Sequence, residues 1–312
     1  MLLGSLLLVG GIVLVLWGAE RFTDGAIRTA TRFGLSTFYV GALVSGFEPE
    51  NLVTGVTASA ERLPQIALGT VIGSAIFLLT GGLGAALLLV PMDVRIPREG
   101  IVGMVATLLP FAVVVWNDGV VSRSEGALLV LLAVGVMFWL YRRSPVFLGA
   151  LKEGGDAPAR PSGARAVGLL FVGAAVMVAG AELVVHGVRI LLDTVRLSQM
   201  FLGMAVVGLG ESLEETARMV APARRGHPEL AWGNVVGTVV TLLAFNLGVI
   251  ALVQPVVVDP LVLRFHAPYL LGCTIFVAVA LWWASRLGRP MGSALVALYL
   301  LYLGLNLVHM WD

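Results

Sequence analysis

Two short acidic stretches interrupt long apolar sequence, and they are where this chain could do chemistry. The first is Ser45-Gly46-Phe47-Glu48-Pro49-Glu50-Asn51; the second is Gly208-Leu209-Gly210-Glu211-Ser212-Leu213-Glu214-Glu215. Carboxylates placed at hydrocarbon depth are costly, so they are expected to face the protein interior or a water-filled cavity. Gly46, Pro49, Gly208 and Gly210 weaken the helix at the same points. An interrupted helix frees backbone carbonyls, and carbonyls with carboxylates are the oxygen ligands that hard cations take. In a regular helix Glu211, Glu214 and Glu215 share a face through their i, i+3 and i+4 spacing. Glu48 and Glu50 share one only when the backbone unwinds between them, which Pro49 favours. The alternative, glutamates at helix ends in the headgroup layer, does not account for two matched clusters each set in apolar sequence.

A second matched pair follows: Ala67-Leu68-Gly69-Thr70-Val71-Ile72-Gly73-Ser74 and Ala231-Trp232-Gly233-Asn234-Val235-Val236-Gly237-Thr238. Small residues at this spacing allow close helix approach. Their functional reading is that Thr70, Ser74, Asn234 and Thr238 supply neutral oxygens to an ion site. Asn51 and Ser212 join them by position within the acidic stretches. Glu20 and Glu182 read as interfacial or structural. His186, His227, His266 and His309 lack metal-ligand spacing, and the lone Cys273, inside an apolar run, reads as a small buried hydrophobe.

These stretches must be held by membrane spans. Hydrophobic residues make up 58% of the 312 and charged residues 12%, about half the charged share of a soluble domain. The net charge of +1 gives no case for nucleic acid as a partner. Residues Met1 to Trp17 lack a basic leader region and a small-residue cleavage site, and read as a first span rather than a secretory signal. Runs of about 20 apolar residues are expected over 2–19, 36–58, 65–90, 100–116, 124–141, 166–185, 199–221, 229–256, 267–285 and 291–309. The polar stretch from Arg142 to Arg165, with Gly154, Gly155, Pro158 and Pro161, reads as a linker between two groups of five. With the N-terminus outside, fifteen of the 20 Lys and Arg, Arg218 among them, fall on the inner side. That asymmetry predicts an inner linker and an outer C-terminus.

The two groups repeat each other. A shift of 162 carries Gly11 to Gly173, Gly18-Ala19-Glu20 to Gly180-Ala181-Glu182 and Gly25 to Gly187; after a two-residue gap, 164 carries Glu50 to Glu214, Gly69 to Gly233, Gly73 to Gly237 and Pro91 to Pro255. Five spans is an odd number, so consecutive units are inverted relative to each other. Inverted repeats with broken helices meeting near the midplane are a known transporter plan.

On these residues the chain resembles the cation/calcium exchanger superfamily. Its alpha repeats read roughly G-T-S-L-P-E followed by G-N-x-x-G-S-N. The counterparts here are Gly210-Glu211-Ser212-Leu213-Glu214-Glu215 with Gly233-Asn234-Val235-Val236-Gly237-Thr238, and Gly46-Phe47-Glu48-Pro49-Glu50-Asn51 with Gly69-Thr70-Val71-Ile72-Gly73-Ser74. The flanks match as well, at Gly34-Leu35-Ser36 and Ser122-Arg123-Ser124-Glu125-Gly126. Counted back from the second element, the family glutamate falls on Glu215 in repeat two but on Asn51 in repeat one; against a shorter, proton-coupled pattern Glu50 and Glu214 align. Phe47 and Glu211 replace the family threonine, and Ala75 and Val239 replace its asparagine.

The resemblance and the repeat together predict an all-α integral membrane protein with about ten helices: a five-helix repeat over 1–141, a cytoplasmic linker over 142–165 and a second repeat over 166–312. The expected function is secondary-active cation antiport by alternating access, Ca2+ or another cation against H+ or Na+, with Glu50, Glu214 and Glu215 as principal carboxylates and Glu48 and Glu211 behind them. Up to five carboxylates in one region raise one another's pKa values, which favours protons among the exchanged ions. The rivals are an exchanger of Na+ or Mg2+ against H+ and a transport-dead relative. An intramembrane hydrolase lacks support, since neither H-E-x-x-H nor G-x-S-x-G occurs. No cofactor beyond the transported ions is expected. The partners are those cations and the lipid bilayer of the cell membrane, and nothing requires more than a monomer.

Overall fold

The computed structural model describes residues 2–46, 48–60, 62, 64–94, 96–151, 163–193 and 213–309. The described residues are almost wholly helical. In chain order, α1 is Leu2–Phe33, and α2 is Thr37–Val40, continued by a wider π-helical turn over Gly41–Ser45. After a break, α3 is Pro49–Ala60, and α4 runs over 64–89 with π-helical turns at Gly69–Gly73 and Leu78–Gly82. Then come α5 (Arg98–Trp116), α6 (Arg123–Leu151), α7 (Gly163–Asp193), α8 (213–224), α9 (Pro228–Val253), α10 (Val262–Trp283) and α11 (Arg289–His309). Seven of the described helices are long and apolar enough to cross a bilayer: α1, most of α4, α5, much of α6, α7 to Val184, α9 and α10. The chain is a multi-span membrane protein.

Several features differ from the expected spans: α6 continues helically to Leu151, into the stretch expected as linker, and α7 extends from Gly163 to Asp193 rather than over 166–185. The first helix does not stop at the expected limit of 2–19 but continues to Phe33, and the expected span 36–58 is broken between Ser45 and Pro49. The continuation is amphipathic: Phe22, Ala26 and Ala30 stay buried while Arg21 and Arg32 are exposed, so the helix runs past the apolar limit that defines the span. The break lies at Gly46 and before Pro49, which opens α3 where a missing N–H costs nothing.

The outward faces carry Leu3, Val9, Leu109, Val113, Leu131, Phe171, Ile275, Val279 and Leu300, all exposed. Such a continuous apolar exterior is what lipid tails solvate. Near its margins Arg21 lies over the Trp17 ring and Arg98 over the Trp282 ring, each 5.1 Å from the centroid, as expected for interfacial aromatics.

Inside, two apolar cores are distinct. The larger gathers α2 to α6 with α8 to α11, including the fully buried Trp232, Phe111 and Leu79. The smaller lies between α1 and α7, with Val40, Ala217 and Leu230. α1 and α7 run antiparallel along a glycine seam: a Cβ on Gly11 would stand 2.6 Å from the Gly180 carbonyl oxygen, and one on Gly18 2.9 Å from that of Gly173. Between helices in lipid, such close backbone approach is a principal source of adhesion.

Two short antiparallel strand pairs, not anticipated from the sequence, join distant loops. β1 (Met92–Asp93) pairs with β4 (Arg286–Leu287), and β2 (Val120–Val121) pairs with β3 (Val256–Val257). The Trp232 indole N–H donates to the Asp93 carbonyl at 2.9 Å, tying the start of α9 to β1. The Ser122…Glu125 flank is a capping box: Glu125 accepts from the Ser122 N–H at 2.9 Å, while the Glu125 N–H meets Ser122 Oγ at 3.3 Å.

Candidate functional site

The site is organised by α9. Its glycines let the broken span lie against its backbone: a Cβ on Gly233 would stand 2.1 Å from the Phe38 carbonyl oxygen, and one on Gly237 2.0 Å from that of Ala42. Ser36 caps the entry, its hydroxyl accepting from the Tyr39 N–H at 3.1 Å. Where the π-helical turn ends, Gly46 abuts the backbone of α9, and a Cβ on it would fall 2.6 Å from the Gly237 carbonyl carbon and 2.6 Å from the Thr238 nitrogen. The break in the first acidic stretch is thereby placed one turn of α9 beyond Asn234.

From that break Glu48 is carried inward and is 3% exposed. Its carbonyl receives the Leu52 N–H at 3.2 Å, so Glu48 also caps α3. Asn51 donates from its amide to the Glu48 carboxylate, and the Ser74 hydroxyl donates to Asn51 Oδ1 at 3.1 Å. Ser74, Asn51 and Glu48 therefore form a chain from α4 to the break. Thr70 donates instead to Ala67 of its own helix at 2.8 Å. Glu50 stands in the first turn of α3.

The second acidic stretch enters through α8. Glu214 and Glu215 are joined by a residue to which the sequence reading gives no site role. Arg218 falls among the basic residues of the inner face by the positive-inside count, yet it is 6% exposed and pairs with both carboxylates. One guanidinium nitrogen donates to Glu215 Oε1 at 3.0 Å and the other to Glu214 Oε1. The i, i+3 and i+4 spacing of Glu215 and Glu214 from Arg218 brings this about within one helix turn. Asn234 completes the link to α9, donating from Nδ2 to Glu215 Oε2 at 3.2 Å. Glu211 and Ser212, also expected here, lie outside the described residues.

Each acidic stretch thus has one member on α9: the Glu215 carboxylate through Asn234, and the Gly46 backbone against Gly237 and Thr238, while the Glu48 carboxylate is bonded to Asn51. Thr238 is fully buried, and its hydroxyl has no hydrogen-bond partner among the described residues. Asn246, two turns further along α9, is also fully buried, and neither side-chain amide atom has such a partner. Among the described residues no three acidic, His or Cys side chains converge as a metal cluster. The arrangement offers single carboxylates and neutral oxygens spread along α9, with a guanidinium over one pair.

His227, to which the sequence assigns no role, has Nδ1 2.9 Å from Glu229 Oε1, and Thr37 donates to the same oxygen at 2.9 Å. Glu229 is 5% exposed; this trio fastens α2 to the start of α9.

The chain matches the family model described as sodium/calcium exchanger protein over residues 3–142 and 165–308. It is 28% identical to inner membrane protein YrbG of Escherichia coli, over 98% of this chain and 97% of that one. It is 25% identical to sodium/calcium exchanger MaX1 of Methanosarcina acetivorans, over 96% and 97% respectively. Its fold superposes on the sodium-calcium exchanger NCX_Mj, soaked with zero Na+ and Ca2+, with a TM-score of 0.82 and 25% identity over 97% of this chain and 99% of that one. With two segments that together span most of the sequence matched, this chain belongs to the sodium/calcium exchanger family, and so is a membrane transporter and not an enzyme.

Proposed function

We propose that this protein is a secondary-active cation antiporter working by alternating access, exchanging Ca2+ or another cation for H+ or Na+. The observation that carries the reading is that both acidic stretches touch adjacent turns of α9, one through the Glu215 carboxylate and the other through the backbone at Gly46. Glu50, Glu214 and Glu215 are the principal carboxylates in this reading. Glu48, Glu211, Asn51, Ser212, Thr70, Ser74, Asn234 and Thr238 supply further oxygens or hold them. Sodium/calcium exchange is what MaX1 is named for, and it is the natural starting point for this chain.

The inverted repeat supports alternating access. Adding 164 to 49–60, 83–89 and 92–93 gives 213–224, 247–253 and 256–257, where α8, the last part of α9 and β3 lie. The image of β2 under a shift of 166 is β4. Pairing β1 with β4 and β2 with β3 is therefore the pattern in which a two-fold axis exchanges the two pairs. The glycine seam obeys the same rule: Gly11 faces Gly180, and their images Gly173 and Gly18 face each other. The proposed topology is ten spans, five on either side of a cytoplasmic linker over 142–165, in the cell membrane with both termini outside.

Counterflow in proteoliposomes tests the function. Purified protein should drive Ca2+ uptake against an imposed H+ or Na+ gradient; uptake of another cation, with Ca2+ inert, would select the Na+ or Mg2+ reading. Absence of flux for every ion would select a transport-dead relative. A second test isolates Thr238. Thr238→Val keeps the shape and removes a buried hydroxyl that has no partner among the described residues, so the melting temperature should hold or rise slightly. Transport should fall about tenfold through the lost ligand, on the scale of 1.4 kcal/mol per decade. Unchanged flux would remove Thr238 from the site.

A further inference from the structure

We propose that Arg218 is a tethered cation that competes with the transported ion for Glu214 and Glu215. The inference rests on the reading of those carboxylates as the ion site and adds what neutralises them when the ion has left. A guanidinium does not give up its proton in a protein, so the charge it brings is permanent, unlike that of a buried Lys or His. Burying that charge is tolerable only beside opposite charge, and Arg218 has two carboxylates within one helix turn.

The trio of Glu214, Glu215 and Arg218 carries one net negative charge rather than two. A divalent ion that uses both carboxylates must draw them away from the guanidinium or displace it. The long flexible stem of Arg218 allows the head to leave while α8 stays in place. The pairing is not required by the repeat. The residue matching Arg218 in the first half, 164 positions earlier, is Thr54, which is short, neutral and exposed, and Glu215 itself matches Asn51. The second half therefore holds an added carboxylate and an added cation as a matched set. That pair of changes is what a built-in counter-ion needs and what simple helix packing does not.

The role also alters the charge argument for protons. Five crowded carboxylates would have to take up protons once the metal leaves; with Arg218 over two of them, part of that neutralisation is intramolecular. The return step then needs fewer co-transported charges, and the resting site binds divalent ions more weakly than its carboxylate count suggests.

Binding to the purified full chain in detergent tests this, with Ca2+, Na+ and Mg2+ each titrated alone at fixed pH by calorimetry. Arg218→Thr, which copies the first half, and Arg218→Met, which keeps length without charge, should each bind the transported ion about tenfold more tightly or better, because a nearby positive charge has been removed. Arg218→Lys, which keeps a charge but cannot span both carboxylates with a planar fork, should fall between wild type and Arg218→Met. Where Arg218→Thr does not fold, Glu214→Gln/Arg218→Thr is compared with Glu214→Gln alone, and the double variant should bind more tightly. Equal or weaker binding by folded Arg218→Thr and Arg218→Met, with Glu214→Gln or Glu215→Gln lowering affinity, overturns the competition and leaves Arg218 a structural ion pair. If the two Gln variants instead bind like wild type, or if no variant binds any of the three ions, the site reading itself fails and the inference fails with it.

Discussion

Glu214→Gln and Glu50→Gln should each lower cation flux in proteoliposomes about 100-fold or more while leaving a folded, monodisperse protein. Gln preserves the shape and the hydrogen-bond acceptor but removes the charge. Losing one charged ligand from a site of low dielectric costs on the order of 3 kcal/mol, which is roughly two decades in affinity. Folding should survive in Glu214→Gln because Glu215 still faces Arg218 at 3.0 Å, so the guanidinium keeps a partner and the penalty for an uncompensated buried charge is avoided. Glu50 stands where the repeat places the counterpart of Glu214, so its neutralisation should match. Normal flux in both variants, with normal melting curves, would remove the carboxylates from the transport step.

The largest effect on stability is expected from Gly237→Val. A Cβ there would fall 2.0 Å from the Ala42 carbonyl oxygen and 2.5 Å from its Cα. These are backbone atoms and no rotamer change relieves the overlap, so α9 and the broken span must separate. Overpacking of this kind costs about 3 kcal/mol or more, which lowers the melting temperature by roughly 5 °C in a chain of this length. Because the displaced contact also sets the Gly46 break against Thr238, transport should be lost together with stability. Gly272→Ala is the control: a Cβ there meets no described atom within 4 Å, and Ala favours helix by up to about 1 kcal/mol. Equal melting temperatures for the two variants would mean that the close approach at Gly237 does not hold the helices together.

The membrane class is legible in the sequence because hydrocarbon allows few alternatives: apolar runs of sufficient length must be helices with their backbone bonds satisfied internally. The sequence also singles out the glycines that matter for packing: Gly11, Gly18, Gly173 and Gly180 all line the seam between α1 and α7. The neutral members fare unevenly. Asn234 and Ser74 reach acidic or amide partners, whereas Thr70 turns to its own helix; spacing along a helix identifies a face but not the rotamer. The positive-inside count treats Arg218 only as a charge near a span end and so gives no hint that it is buried and paired. The signal for that pairing is the i, i+3 and i+4 spacing to Glu215 and Glu214. The strand pairs leave no trace because two-residue ladders need no alternation, only loops brought together by the helices. The π-helical turns are equally invisible, since single wide turns inside a helix leave its apolar pattern almost unchanged.

The two strand pairs also bear on how the molecule is assembled. Each takes one strand from before the stretch 152–162 and one from after it, and the larger core draws buried side chains from both parts. Neither part can complete a ladder or close a core by its own synthesis. During translation the first part must wait in the bilayer with β1 and β2 unpaired and the glycine face of α1 uncovered until the second is inserted. Both ladders and the larger core therefore close only once the second part is in place, and a chain truncated before α7 should be cleaved in the membrane faster than the full chain.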